Sequence, residues 1–154
     1  MGGWSLTCEP TLTPQQIKKA LVAAGFEVFR TQGDDIVLAD RVRENLIMDS
    51  GVRLSSVNGK GAMEIKVVLR CQRADFPGEE EGRMFDRVRS LAKPALALGF
   101  QEIGCIATKV TDPSDEARTL DTFYEVTFAK QVADMEAALE ELRFLLNIDK
   151  TVKR

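Results

Sequence analysis

Met63-Glu64-Ile65-Lys66-Val67-Val68-Leu69-Arg70-Cys71-Gln72-Arg73 carries the clearest two-residue alternation in the sequence. Successive side chains of an extended backbone point to opposite sides. Met63, Ile65, Val67, Leu69 and Cys71 therefore share a dry side, and Glu64, Lys66, Val68, Arg70 and Gln72 a mostly wet one. A sheet with one wet face is usually antiparallel. The expectation that follows is an α+β fold in which an antiparallel sheet packs helices on one face only.

Outward from this strand, Asn58-Gly59-Lys60-Gly61 is the strongest turn signal, because Asn-Gly supplies the positive φ angles of a tight hairpin. It should join the strand to a preceding one over Val52–Val57. The Gly59-Lys60-Gly61 spacing matches no phosphate-binding loop. Earlier, Thr13-Pro14-Gln15-Gln16 reads as a helix start with a capping box. Ile17, Leu21 and Ala24 form that helix's apolar stripe, and Gly25 closes it. Phe26–Thr31 and Ile36–Ala39 read as a hairpin about Gln32-Gly33-Asp34-Asp35. Asp40–Ser50 fits two patterns. Ala39, Val42 and Leu46 make a helical face, while Val42, Glu44, Leu46 and Met48 make one side of a strand. The helical turn, ended by Gly51, is the preferred reading.

Beyond the central strand, Asp75-Phe76-Pro77-Gly78 breaks the chain and Glu79-Glu80-Glu81 opens a helix at its dipole-favoured end. Met84, Val88, Leu91, Ala95 and Leu98 recur at helical spacing, with Phe85, Ala92 and Leu96 widening the stripe. Pro94 is expected to kink this helix and Gly99 to end it. So wide a stripe is either a well-buried helix or partly a contact with a second subunit. Phe100–Val110 and Leu120–Phe128 form a second hairpin about Asp112-Pro113-Ser114-Asp115. A closing helix runs from Asp134 to Asn147 with Asp134 as N-cap. The organisation is thus an irregular arm (1–12), a single domain (13–148) and a charged tail (149–154).

Composition bounds the chemistry. Of 154 residues, 44% are hydrophobic and 29% charged, as in ordinary globular chains. No apolar run spans a bilayer and no leader is apparent, so a soluble cytoplasmic protein is expected, with no membrane partner. Residues 1–74 carry ten Lys/Arg against eight Asp/Glu, and residues 75–154 eleven against sixteen, so the halves bear +2 and -5. A net charge of -3, with no aromatics interleaved among the arginines, speaks against a nucleic-acid partner. Cys8, Cys71 and Cys105 form no disulfide framework, and Cys71 and Cys105, set in apolar strand patterns, read as small buried hydrophobes.

The chain has no histidine. That removes the commonest general base, the Ser-His and Cys-His pairs and the most frequent transition-metal ligand. No cofactor, metal or catalytic residue is assigned. The carboxylate pairs Asp34/Asp35, Asp112/Asp115 and Asp121/Glu125 sit in turns or on a polar strand side, where solvated surface accounts for them. The residues singled out for partner binding are Arg53, Arg70 and Arg73, whose planar forks suit carboxylate or phosphate, and the helix-stripe residues Met84, Val88 and Leu91. The arginines' other reading is cross-strand pairing with Glu64 and nearby acids.

The order helix, three strands, helix, two strands, helix, with an extra piece between residues 36 and 50, resembles the small type III secretion chaperones and the YbjN-like family of sensory-transduction regulators. The likeness covers about residues 13–148 and rests on the succession of elements, so no functional residue is carried over. It implies an α+β sandwich, a homodimer and the binding of another polypeptide without catalysis. The function expected is therefore a protein-binding or adaptor module. The alternative is a small carboxylate-based enzyme or a sensor of an anionic ligand.

Overall fold

A computed structural model describes residues 12–57 and 61–147. Its elements are α1 (Pro14–Ala23), β1 (Val28–Gln32), β2 (Asp35–Arg43), β3 (Leu46–Ser56), β4 (Met63–Gln72), α2 (Glu81–Ser90), α3 (Lys93–Ala97), β5 (Gln101–Asp112), β6 (Asp115–Val132) and α4 (Met135–Leu145). The six strands make one antiparallel sheet in the order β1-β2-β3-β4-β6-β5, an α+β fold. The Met63–Cys71 alternation is fully realised, with all five odd-numbered side chains buried. The expected turn at Asn58-Gly59-Lys60 lies outside the described residues, as do Trp4, Leu6, Cys8 and the charged tail. Val57 N–H donates to the Ala62 carbonyl at 2.9 Å.

Contacts gather into two compact units. The described residues up to Lys66 together with Lys130–Asn147 form the first, and Val67–Ala129 the second. In the first, Thr13 caps α1 as expected: its Oγ1 accepts from Gln16 N–H at 3.2 Å while Gln16 Oε1 accepts from Thr13 N–H at 2.9 Å. Ile17 and Leu21 face the core, together with Ala138, Leu142 and Leu145 of α4. Asp134 caps α4 through Ala137 N–H at 2.9 Å.

The helical turn expected over Asp40–Ser50 is not there. β2 continues to Arg43, turns at Glu44-Asn45 and returns as β3. Gly51, read as a helix end, instead takes φ +82° inside β3. The register with β2 slips beside it, from Val37↔Arg53 to Ala39↔Asp49, which marks a β-bulge. Two local bonds hold the bulge: Asp49 Oδ1 accepts from Gly51 N–H at 2.7 Å and Ser50 Oγ from Val52 N–H at 3.1 Å. The undecided piece is therefore strand, because a bulge absorbs the break in alternation that imitates a helical face.

Nor is one face wet throughout. Ile36, Val37, Leu38 and Ala39 are all buried, so β2 is dry on both sides there. Further along that second face runs a charged row. Arg53 pairs with Asp49 at 2.9 Å, and Lys66 with Asp35 and Glu64 at 3.6 Å each.

In the second unit the expected single kinked helix is two. α2 stops at Ser90 and the five-residue α3 starts at Lys93, with Pro94 in its first turn, where a missing N–H costs nothing. Met84, Val88, Ala92 and Ala95 are buried, Leu91 is half-buried and Leu96 is exposed. Cys71 Sγ donates to the Met84 carbonyl at 3.5 Å, and the Phe85 ring meets Tyr124 edge-on, centroids 5.3 Å apart. These contacts set α2 against the dry face shared by β4 and β6.

Candidate functional site

β5 is the edge strand of the sheet, and every residue from Gln101 to Thr111 is exposed. Its pairing with β6 fixes which residues share a face. Cys105, Ala107 and Lys109 lie opposite Val126, Tyr124 and Thr122, on the side where β6 is buried. Ile106, Thr108 and Val110 lie opposite Glu125, Phe123 and Asp121, on the other side. The register slips at Ile103, so this extra residue returns Glu102, opposite Phe128, to the same side as Lys109. A second slip leaves Leu120 unpaired on β6. Large apolar groups are exposed along this ribbon: Ile103 at 58%, Ile106 at 61%, Val110 at 39% and Leu120 at 51%. Ile106 and Val110 share one side, and Cys105 and Ala107 are exposed on the other, so no single covering element in the chain would hide them all.

Two of the expected contact arginines belong to this unit. Arg70 is exposed, its guanidinium 5.7 Å from the Phe123 ring centroid, a cation–π distance. Arg73 is committed to its own chain. It donates to the carbonyls of Phe76 and Glu79 and, at 2.7 Å, to the Tyr124 hydroxyl, and so fixes the loop leading to α2. Beside it Arg87 stacks on Phe76 at 4.1 Å and pairs with Glu79 at 3.3 Å, which gives Glu79 a role ahead of α2. Burial pushes the Cys71 thiol up, against the pull of the Arg87 and Arg73 charges. Arg53 belongs to the other unit and is held by Asp49, a nearby acid of its own strand, while Glu64 pairs with Lys66.

The remaining expected contact residues are placed otherwise. Met84 and Val88 are fully buried and Leu91 half-buried, so the α2 stripe is spent on the core of its own chain. Cys71 is the buried hydrophobe expected, whereas Cys105 is exposed, a correction that follows from its edge strand being uncovered. The ribbon itself was legible only in part. Its alternation is in the sequence, but periodicity does not say whether anything covers a strand.

The carboxylate pairs do not converge on a cleft. Asp112 accepts from Ser114 N–H at 2.9 Å and Ser114 Oγ at 2.7 Å, which hold its carboxyl below the usual range and close the turn. Asp121 accepts from Thr122 N–H at 2.7 Å and Ala74 N–H at 3.1 Å, and Asp35 pairs with Lys66. Among the described residues no group of three or more His, Cys, Asp or Glu is arranged to hold a metal ion. No helix of the described residues is long and apolar enough to cross a membrane.

In the first unit an open groove of about 680 Å³ runs between α1 and β1. Pro14, Val22 and Ala23 give it an apolar lining, and Lys18 and Lys19 a cationic one. Val22 is exposed within it. Comparison with known proteins finds no family model, no curated protein and no solved structure that this chain matches.

Proposed function

We propose that this chain is a non-catalytic protein-binding module, an adaptor or chaperone-like protein that acts as a homodimer. One observation carries the reading: a long edge strand exposes apolar side chains on both of its faces. A strand exposed on both faces gains little from packing within its own chain, and an open edge invites pairing with another chain. Main-chain hydrogen bonds along such an edge supply affinity, and the flanking side chains supply selectivity.

The groove beside α1 supports a second contact, with the other polypeptide. Its apolar lining and its two lysines match a segment that is apolar on one side and acidic on the other. The test uses a fluorescent peptide of that character, titrated into the protein, together with sedimentation of the protein alone. Saturable binding that a Lys18→Glu/Lys19→Glu variant loses, and a mass about twice 17.1 kDa, are expected. A monomer that binds the peptide no better than the charge-reversed variant does would overturn the proposal.

A further inference from the structure

We infer that β5 is the seam of the dimer, pairing antiparallel with β5 of a second copy about a two-fold axis at Ile106. This rests on the homodimer reading above and adds to it a surface, a register and a pair of salt bridges. A two-fold axis normal to a sheet keeps the faces of both strands aligned, so residues directly opposite must share a face. With Ile106 opposite the partner's Ile106, Cys105 meets the partner's Ala107 and Gly104 the partner's Thr108. Each of these pairs obeys the face assignment that β6 imposes on β5.

The bulge then becomes informative. The extra residue at Ile103 brings Glu102 opposite the partner's Lys109, and both lie on the side where β6 is buried. By symmetry the pair occurs twice. Moving the axis one residue toward Cys105 sets Lys109 opposite the partner's Phe100 and Glu102 opposite the partner's Ala107 instead. Moving it to Ala107 sets Lys109 opposite the partner's Cys105 and Glu102 opposite the partner's Thr111. Of these three registers, the one centred on Ile106 alone joins opposite charges. Opposite charges across strands stabilise a pair, and like charges destabilise it.

Glu102 also has a partner within its own chain, and a carboxylate has lone pairs enough to accept from a second cation. Arg89 at the end of α2 holds its carboxylate in a two-pronged grip at 2.8 and 3.0 Å. β5 contains no proline to interrupt a new ladder. A lysine in an edge strand ordinarily discourages pairing, and here a glutamate at the matching distance offsets it. The occupant is a second copy because the edge is self-complementary in charge and face. A second copy is also present wherever the apolar ribbon would otherwise stand open.

Disulfide trapping tests the register. In a Cys8→Ser/Cys105→Ser background, Ile106→Cys should give a crosslinked dimer within minutes of adding copper phenanthroline. Val110→Cys, whose two copies lie about eight residues of strand apart, roughly 26 Å, should not. Charge reversal tests the salt bridge. Glu102→Lys and Lys109→Glu should each weaken dimerisation about tenfold, and the double variant should recover most of that loss. Crosslinking of V110C as fast as I106C, or a double variant as weak as the singles, would overturn the seam. A dimeric parent in which I106C fails to crosslink would also overturn the seam and leave the homodimer reading standing. A monomeric parent would remove both.

Discussion

Met84→Ala removes three heavy side-chain atoms from a residue that is fully buried on α2, above the Cys71 thiol. At about 0.8 kcal/mol per buried methylene-sized group, the lost transfer energy is roughly 2–2.5 kcal/mol. If about 40 Å³ stays open, the cavity adds about 1 kcal/mol at ~24 cal/mol per Å³. The expected loss is therefore about 3 kcal/mol, a large share of the ~5–15 kcal/mol that holds a typical domain folded. Urea unfolding at matched protein concentration measures it. With a slope of ~1–3 kcal/mol per molar, the midpoint should fall by about 1–3 M. The native mass should not change, because Met84 touches its own core and not a neighbour. A variant with an unmoved midpoint but a smaller native mass would refute this and return α2 to the surface as a subunit contact.

Four further outcomes follow from the contacts described. Asp134→Ala, which removes the cap on Ala137 N–H, should cost about 1 kcal/mol by the same urea assay and shorten α4 by circular dichroism. Arg73→Met, which strands the Glu79 carbonyl and the Tyr124 hydroxyl, should cost about 2 kcal/mol and quicken proteolysis between residues 73 and 81. Glu27 is held below its usual value of 4.5, first by the hydrogen bonds from Arg41. Its stabilisation is therefore present above pH 4.5 and is lost as pH falls through the lower folded value. Glu27→Gln should accordingly flatten the stability curve on that acid side and leave its slope at neutral pH unchanged. Mass-mapped alkylation of the native protein should modify Cys105 well before Cys71, whose thiol is buried and raised in pKa. Equal rates would contradict the packing of α2.

Much of the fold was readable from residue pattern, and the exceptions have identifiable physical causes. The β4 alternation, the Thr13 box, the Asp134 cap and the turns at 32–35 and 112–115 are all local, and each appears where side-chain chemistry requires it. Gly51 misled because a bulge glycine and a helix-ending glycine look alike without the partner strand. Pro94 in an apolar helical run suggests a kink, yet a proline in a first helical turn disrupts nothing, so the chain breaks before it and restarts. Ile36-Val37-Leu38-Ala39 is legible as a strand, but an alternation rule passes over what its unbroken apolar run means, a strand dry on both sides.

The candidate site was less legible. Arg53, Arg70 and Arg73 share a residue type but not a place or a role. One is bound to Asp49, one stacks on Phe123 and one braces a loop. Met84 and Val88 look the same in sequence whether they face a core or a partner, because periodicity gives the apolar side and not what meets it. Ile103, Ile106 and Val110 failed to stand out for the converse reason. Their pattern is that of any strand, and only its place at the edge of the sheet leaves them open.

Hydrogen exchange of the β5 backbone amides, followed from dilute to concentrated protein, tests the central idea most directly. Amides of Gln101–Thr111 that point away from β6 should exchange fast in dilute solution and slow as concentration rises, while those bonded to β6 change little. Rapid exchange of the outward amides at every concentration would mean that nothing pairs with this edge.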